Sequence, residues 1–196
     1  MKKICITAFL ALSLCLAGIA HADPAQEAET TLRNAIDDIL ALLAQKQLDE
    51  DKLRTEIHGI FDFKALTARA LGVHWRQFSA SQQDKASDAM AQLLESTYRD
   101  ALKKYTNQRV QYLETNSLRE DQVEIRTEVM SNTQELPINY RMELTDGTWR
   151  IYDVVIEGVS LVQNYRTQFQ EIMLNKSPDE LISMLEEKAA KRRDNS

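Results

Sequence analysis

LPINYRMELTDGTWRIYDVVIEGVSLVQNYRTQF, the run from Leu136 to Phe169, decides the fold class. Its first part sets Leu136, Ile138, Tyr140, Met142 and Leu144 at every second position, the period of a strand with one buried face. Asp146-Gly147 follows, a dipeptide that readily adopts the positive φ angles of a two-residue hairpin turn. Thr148 to Ile156 predicts the return strand. Trp149, Ile151 and Val155 fall on one side of it, and Tyr152, Val154 and Ile156 on the other, so both faces are expected to be largely buried. Glu157-Gly158 ends this strand. From Ser160 the period changes, and Leu161, Val162, Tyr165, Phe169 and Ile172 share one face of a helix. A hairpin feeding an apolar helix makes a core, and is not by itself an active site.

Upstream, Val110 and Tyr112 fit one further strand. Val123, Ile125, Thr127 and Val129 fit another with one apolar face. With the hairpin, the expectation is four strands, mostly antiparallel. Before them, Leu32, Ile36, Ile39, Leu40 and Leu43 recur at helical spacing in a first helix over about residues 25–47. Leu53, Ile57 and Ile60 mark a second helix. Leu66 and Leu71 mark a third, stopped by Gly72. A long helix begins at a cap within Ser79 to Ser81 and runs to about Tyr105, with Met90, Leu94, Tyr98 and Leu102 in line. Pro178 opens a last helix, with Leu181, Ile182 and Leu185 inward. Lys188 to Arg193 reads as a solvated helix end or as a docking patch. No repeat or long linker interrupts the chain, and one α+β domain fits best.

The first residues have a separate logic. Lys2 and Lys3 precede an apolar run from Ile4 to Ile19, and Ala20-His21-Ala22 places small residues where a signal peptidase reads. The expectation is a signal peptide over residues 1–22, cleaved between Ala22 and Asp23, and a single domain over 23–196. Cys15 follows Leu14, a poor fit to lipoprotein processing. Both cysteines, Cys5 and Cys15, lie in this segment, so the mature chain is expected to lack disulfides, thiolate chemistry and cysteine metal sites. Losing Lys2 and Lys3 leaves 22 basic side chains against 30 acidic ones, a net charge of -8. That balance makes nucleic acid a poor partner and gives no attraction to an anionic membrane surface.

No nucleophile elbow, phosphate loop, zinc helix motif or calcium loop is present. His58 and His74 have no second histidine at ligand spacing, and no metal site is expected. Asp153, among apolar neighbours, is the odd carboxylate. Buried, it needs hydrogen bonds or a cation. Arg166, Tyr165 and nearby backbone N–H groups are within reach along the chain. A structural anchor is the leading reading, ahead of a ligand contact or acid/base catalysis. Asp62 reads as a turn or cap residue. The aromatic and methionine stripes fit a filled core or the walls of an apolar cavity.

Several segments together carry a family resemblance: Phe61-Asp62-Phe63, Ala70-Leu71-Gly72, Trp75, Gln83, Leu94, Thr97-Tyr98 and Tyr105. The strongest part is Pro137-Ile138-Asn139-Tyr140, Gly147-Thr148-Trp149, Tyr152-Asp153-Val154, Glu157 to Val162, Asn164-Tyr165-Arg166 and Gln168-Phe169. On these residues the chain resembles the MlaC family of toluene-tolerance auxiliary proteins, periplasmic phospholipid-binding partners of the Mla ABC transport system. The family often has bulky aromatics along the helix after Gln83, where this chain has Ala86 and Met90. The resemblance implies a curved sheet wrapped by several helices, with acyl tails held in an apolar cavity between them. It implies a carrier rather than an enzyme, with glycerophospholipid as cargo and no cofactor. It further implies an inner-membrane ABC complex with an MCE-domain protein, an outer-membrane lipoprotein complex, and a role in outer-membrane lipid asymmetry. A monomer is expected. Met90, Leu94, Tyr98, Leu102, Tyr140, Met142, Trp149 and Val154 are the expected cavity wall, because they join apolar size to the long helix or the central hairpin. Asp153 and Arg166 are expected to support the fold, as a possible salt bridge. A small secreted enzyme using Asp153 and a non-catalytic periplasmic adaptor are the rivals.

Overall fold

The computed structural model describes residues 23–103, 109–130 and 135–194. The expected signal segment and Tyr105 lie outside them. Six α-helices are described: α1 (Pro24–Leu43), α2 (Glu50–Ile60), α3 (Phe63–Leu71), α4 (Ala80–Lys103), α5 (Leu161–Ile172) and α6 (Pro178–Asp194). A 3₁₀ turn (Gly72–Gln77) joins α3 to α4. The strands are β1 (Arg109–Arg119), β2 (Gln122–Met130), β3 (Glu135–Thr145), β4 (Thr148–Ile156) and β5 (Val159–Ser160). They form one sheet in the order β1-β2-β3-β4-β5, with every ladder antiparallel.

The sheet has five strands where four were expected. Asp146 and Gly147 turn β3 into β4 with φ of 50° and 74°. Glu157 and Gly158 repeat the device with φ of 49° and 82°, and pair Ile156 with Val159. The dipeptide read as a strand end is therefore a second two-residue hairpin turn. Beyond the short β5, the edge of β4 is continued by a parallel bridge between Phe61 and Ile151, where the Asp62 N–H donates to the Ile151 carbonyl at 2.9 Å.

A bulge resets the phase of β4. Arg141 faces Asp153, but the next residue of β3, Met142, faces Ile151, leaving Tyr152 as the extra residue. Side chains change face once more than simple alternation allows. Ile151, Val154 and Ile156 consequently share the apolar face, and Asp153 shares the other with Arg141 and its neighbour Glu124. Val154 and Ile156, expected opposite Ile151, lie beside it.

The largest fully buried side chains are Trp149, Phe169, Leu32, Leu66, Leu71 and Met90, drawn from α1, α3, α4, β4 and α5. α6 packs on α4, and α3 on α5. The helix starts are fixed by side chains. Asp62 accepts from the Ala65 N–H at 2.7 Å, which makes it the cap of α3. Ser79 and Gln82 bond reciprocally at the start of α4, and Ser177 and Glu180 do so at α6. Hydrogen bonds from Lys176, and then from the Ser177 N–H and hydroxyl, hold the Glu180 carboxyl at about 2, below its usual 4.5. A depressed acid stabilises the fold above its unfolded value and loses that effect as pH falls towards its folded value. Thermal melts between pH 5 and pH 2 should therefore fall more steeply for the wild type than for Glu180→Gln. Parallel curves would remove the capping box from the acid response.

Candidate functional site

Aliphatic side chains on α1 and α2 turn towards the sheet and α4. They face a cavity of about 320 Å³. α1 contributes Leu32, Ala35, Ile36, Ile39, Leu40 and Leu43, and α2 contributes Ile57 and Ile60. α4 adds Leu94, Tyr98, Ala101 and Leu102, one turn after another. The sheet supplies Val110, Val129, Leu136, Ile138, Tyr140, Ile151, Val154 and Ile156. An engineered apolar cavity of about 150 Å³ already stays dry and takes up a small hydrocarbon. This one is about twice that size. Among the described residues that line it, Glu95 alone carries a formal charge.

Of the expected wall residues, Leu94, Tyr98, Leu102, Tyr140 and Val154 line the cavity. Met90, Met142 and Trp149 do not. All three are at most 2% exposed and belong to the packed core. The reason is position along the elements. Met142 pairs with Ile151, and Leu144 with Trp149, towards the turn at Asp146, while the cavity takes Leu136, Ile138 and Tyr140 from the other end of β3. Met90 lies one turn before Leu94 on α4. The α1 wall was missed, although its helical period was plain. Periodicity identifies an apolar face without saying whether packed side chains or open space meets it.

Asp153 is 2% exposed. One oxygen accepts from Arg141 at 3.1 Å and from the Ser160 hydroxyl at 2.7 Å, and the other accepts from the Val162 N–H at 3.0 Å. Arg141 also donates to Glu124 at 2.9 Å. The carboxylate thus ties β3, β5 and the positive end of α5 to β4. The expected partner Arg166 is elsewhere. Its Nε and Nη2 donate to the Arg69 carbonyl at 3.0 and 2.6 Å, closing α5 on α3. The Tyr165 ring packs against Phe169.

Burial raises the Tyr98 hydroxyl above its ordinary value, with Arg192 opposing, so this wall residue is uncharged at neutral pH. His58 is hydrogen-bonded to Glu95 at 2.7 Å and tilted against Phe63, while His74 bonds Gln77 at 3.1 Å. Among the described residues, no group of three or more His, Cys, Asp and Glu side chains could hold a metal ion.

The model of one protein family, described as the MlaC protein, matches residues 33–187. The chain is 25% identical to the intermembrane phospholipid transport system binding protein MlaC of Haemophilus influenzae, over 94% of this chain and 89% of that protein. It is also similar to the structure of a phospholipid-binding protein from Ralstonia solanacearum in complex with a phospholipid. Identity there is 29% and the TM-score 0.75, covering 85% of this chain and 99% of that one.

Proposed function

The chain belongs to the MlaC family, and on that premise we propose that it is a periplasmic phospholipid carrier that makes and breaks no covalent bond. It takes glycerophospholipid by the acyl chains and passes it between an inner-membrane ABC complex with an MCE-domain protein and an outer-membrane lipoprotein complex. That traffic supports outer-membrane lipid asymmetry. The mature carrier is a monomeric single domain over residues 23–196, released when the segment 1–22 is cleaved before Asp23. The observation that carries the reading is the apolar cavity of about 320 Å³, in a fold similar to that of a protein solved with phospholipid bound.

The mechanism is partition. Each CH₂ taken out of water contributes roughly 0.8 kcal/mol, so acyl chains supply ample affinity. The headgroup stays at the mouth, where it keeps its hydration. Such affinity makes spontaneous release slow, which is why a carrier of this kind needs docking partners at each membrane. Support for a carrier over an enzyme comes from Asp153, whose oxygens accept from Arg141, Ser160 and the α5 backbone as those of a structural anchor do.

Mature protein purified gently from a diderm bacterium should yield close to one glycerophospholipid per chain on extraction. Protein that carries none, and takes none up from vesicles, is not a lipid carrier. Labelled lipid should then move between the loaded protein and the reconstituted inner-membrane complex, and no transfer in either direction would reject the partnership.

A further inference from the structure

A second depression lies beside the apolar cavity. It measures about 340 Å³ and is polar, walled by Arg54 and His58 of α2, Asp88, Glu95 and Arg99 of α4, and Arg193 of α6. A cleft of about 50 Å³ shares Arg54 and Arg99 with this groove, and Ile57 and Leu102 with the cavity. Glu95 lines all three spaces. The His58 ring, 4.9 Å from that of Phe63, stands where polar groove meets apolar wall.

Three guanidinium groups, Arg54, Arg99 and Arg193, line the groove beside the carboxylates of Asp88 and Glu95, in a protein of net charge -6. Arg54 donates to Glu95 at 3.2 Å and pairs with the exposed Asp51 at 3.7 Å, Arg99 pairs with Glu50 at 3.4 Å, and Arg193 donates to the neutral Gln92 at 3.3 Å. Arg54 keeps 49% and Arg99 28% of its side chain exposed, so both can take another oxygen acceptor. A glycerophospholipid carries its phosphate next to the roots of its acyl chains. With the chains in the cavity, the phosphate comes to rest just outside the apolar wall, and Ile57, Glu95 and Leu102, shared by cavity and cleft, put the groove beside that wall. The guanidinium fork suits phosphate oxygens.

We infer that this groove seats the phosphate of the bound glycerophospholipid, between Arg54 and Arg99, with Glu95 as the acceptor it displaces from Arg54. The inference rests on the carrier reading and adds to it a site for an anionic headgroup. Burial of the chains alone would treat a phospholipid and a diacylglycerol alike, whereas a seated phosphate separates them.

The test incubates the mature protein with vesicles holding phosphatidylglycerol and diacylglycerol of matched chains, then reisolates it and weighs its lipid by mass spectrometry. Wild type should favour phosphatidylglycerol. The double change Arg54→Gln and Arg99→Gln should lower that ratio about tenfold at unchanged total load, the scale of one charge-assisted hydrogen bond. Arg193→Gln, at the exposed end of α6, should shift it the same way by less. Glu95→Gln should raise it, a direction that damage to the fold does not produce. Arg126→Gln, which removes the same charge on β2, should leave it alone. An unchanged ratio in both arginine variants at normal load overturns the groove and leaves the carrier standing. A wild type that loads no phospholipid removes both. Glycerophosphate titrated onto the protein supplies the last arm. If it binds and the arginine variants lose it while the lipid ratio holds, the groove takes free phosphate and the lipid assignment falls.

Discussion

Asp153→Asn should lower stability by roughly 3–5 kcal/mol, the usual cost of breaking a buried, hydrogen-bonded charge pair. In a chain of this size that is a fall of about 6–20 °C in melting temperature. The carboxylate is an acceptor for three donors from three elements: Arg141, the Ser160 hydroxyl and the Val162 N–H. An amide turns one acceptor into a donor, so at least one of these groups then faces another donor. Arg166→Gln should cost less, about 1–3 kcal/mol, because Arg166 loses only bonds to the neutral Arg69 carbonyl. Lipid bound per folded molecule should be unchanged in both, since neither residue lines the cavity. Normal melting of Asp153→Asn with selective loss of lipid would reverse the assignment and make Asp153 a ligand contact.

The contrast between these two residues shows where sequence reading stops. The hairpin was legible because Asp146-Gly147 and the alternation in β3 state the same thing twice, in turn chemistry and in period. β5 carried no such agreement. Two residues have no period, and Glu at a positive φ is a weak turn signal beside Asp or Asn. The bulge at Tyr152 was invisible for a different reason. Both faces of β4 are apolar, so an extra residue leaves no break in the pattern, yet it decides that Asp153 meets Arg141 rather than Arg166. Register also separated Met142 from Tyr140. Both are apolar residues of one face of one strand, and only the position of the cavity along the sheet makes one a wall and the other a core residue. The family resemblance implied that a cavity exists, and the fold places it against α1, a helix that carries none of the residues of that resemblance.

Ala35→Trp should empty the carrier without unfolding it. Ala35 lies on α1 between Leu32 and Ile39, is partly buried and faces the cavity. An indole there occupies space that acyl carbons need, and it enters an opening rather than a filled core, so the usual strain of overpacking is small. If it excludes about four methylenes, the loss at roughly 0.8 kcal/mol each is about 3 kcal/mol, or two orders of magnitude in lipid affinity. Lipid recovered per protein should drop accordingly, with melting temperature held or raised. Met90→Trp is the companion measurement. Met90 is fully buried among packed side chains, so the same bulk there should lower the melting temperature by forcing rotamers off their minima. Ala35→Trp on α1 adds more volume than Met90→Trp on α4, yet the smaller addition is the one expected to cost stability, and sequence alone ranks the two sites the other way, with Met90 the expected wall. Full lipid occupancy in Ala35→Trp, with a normal melt, would mean that the acyl chains lie elsewhere, and the cavity between α1 and the sheet would no longer be the binding site.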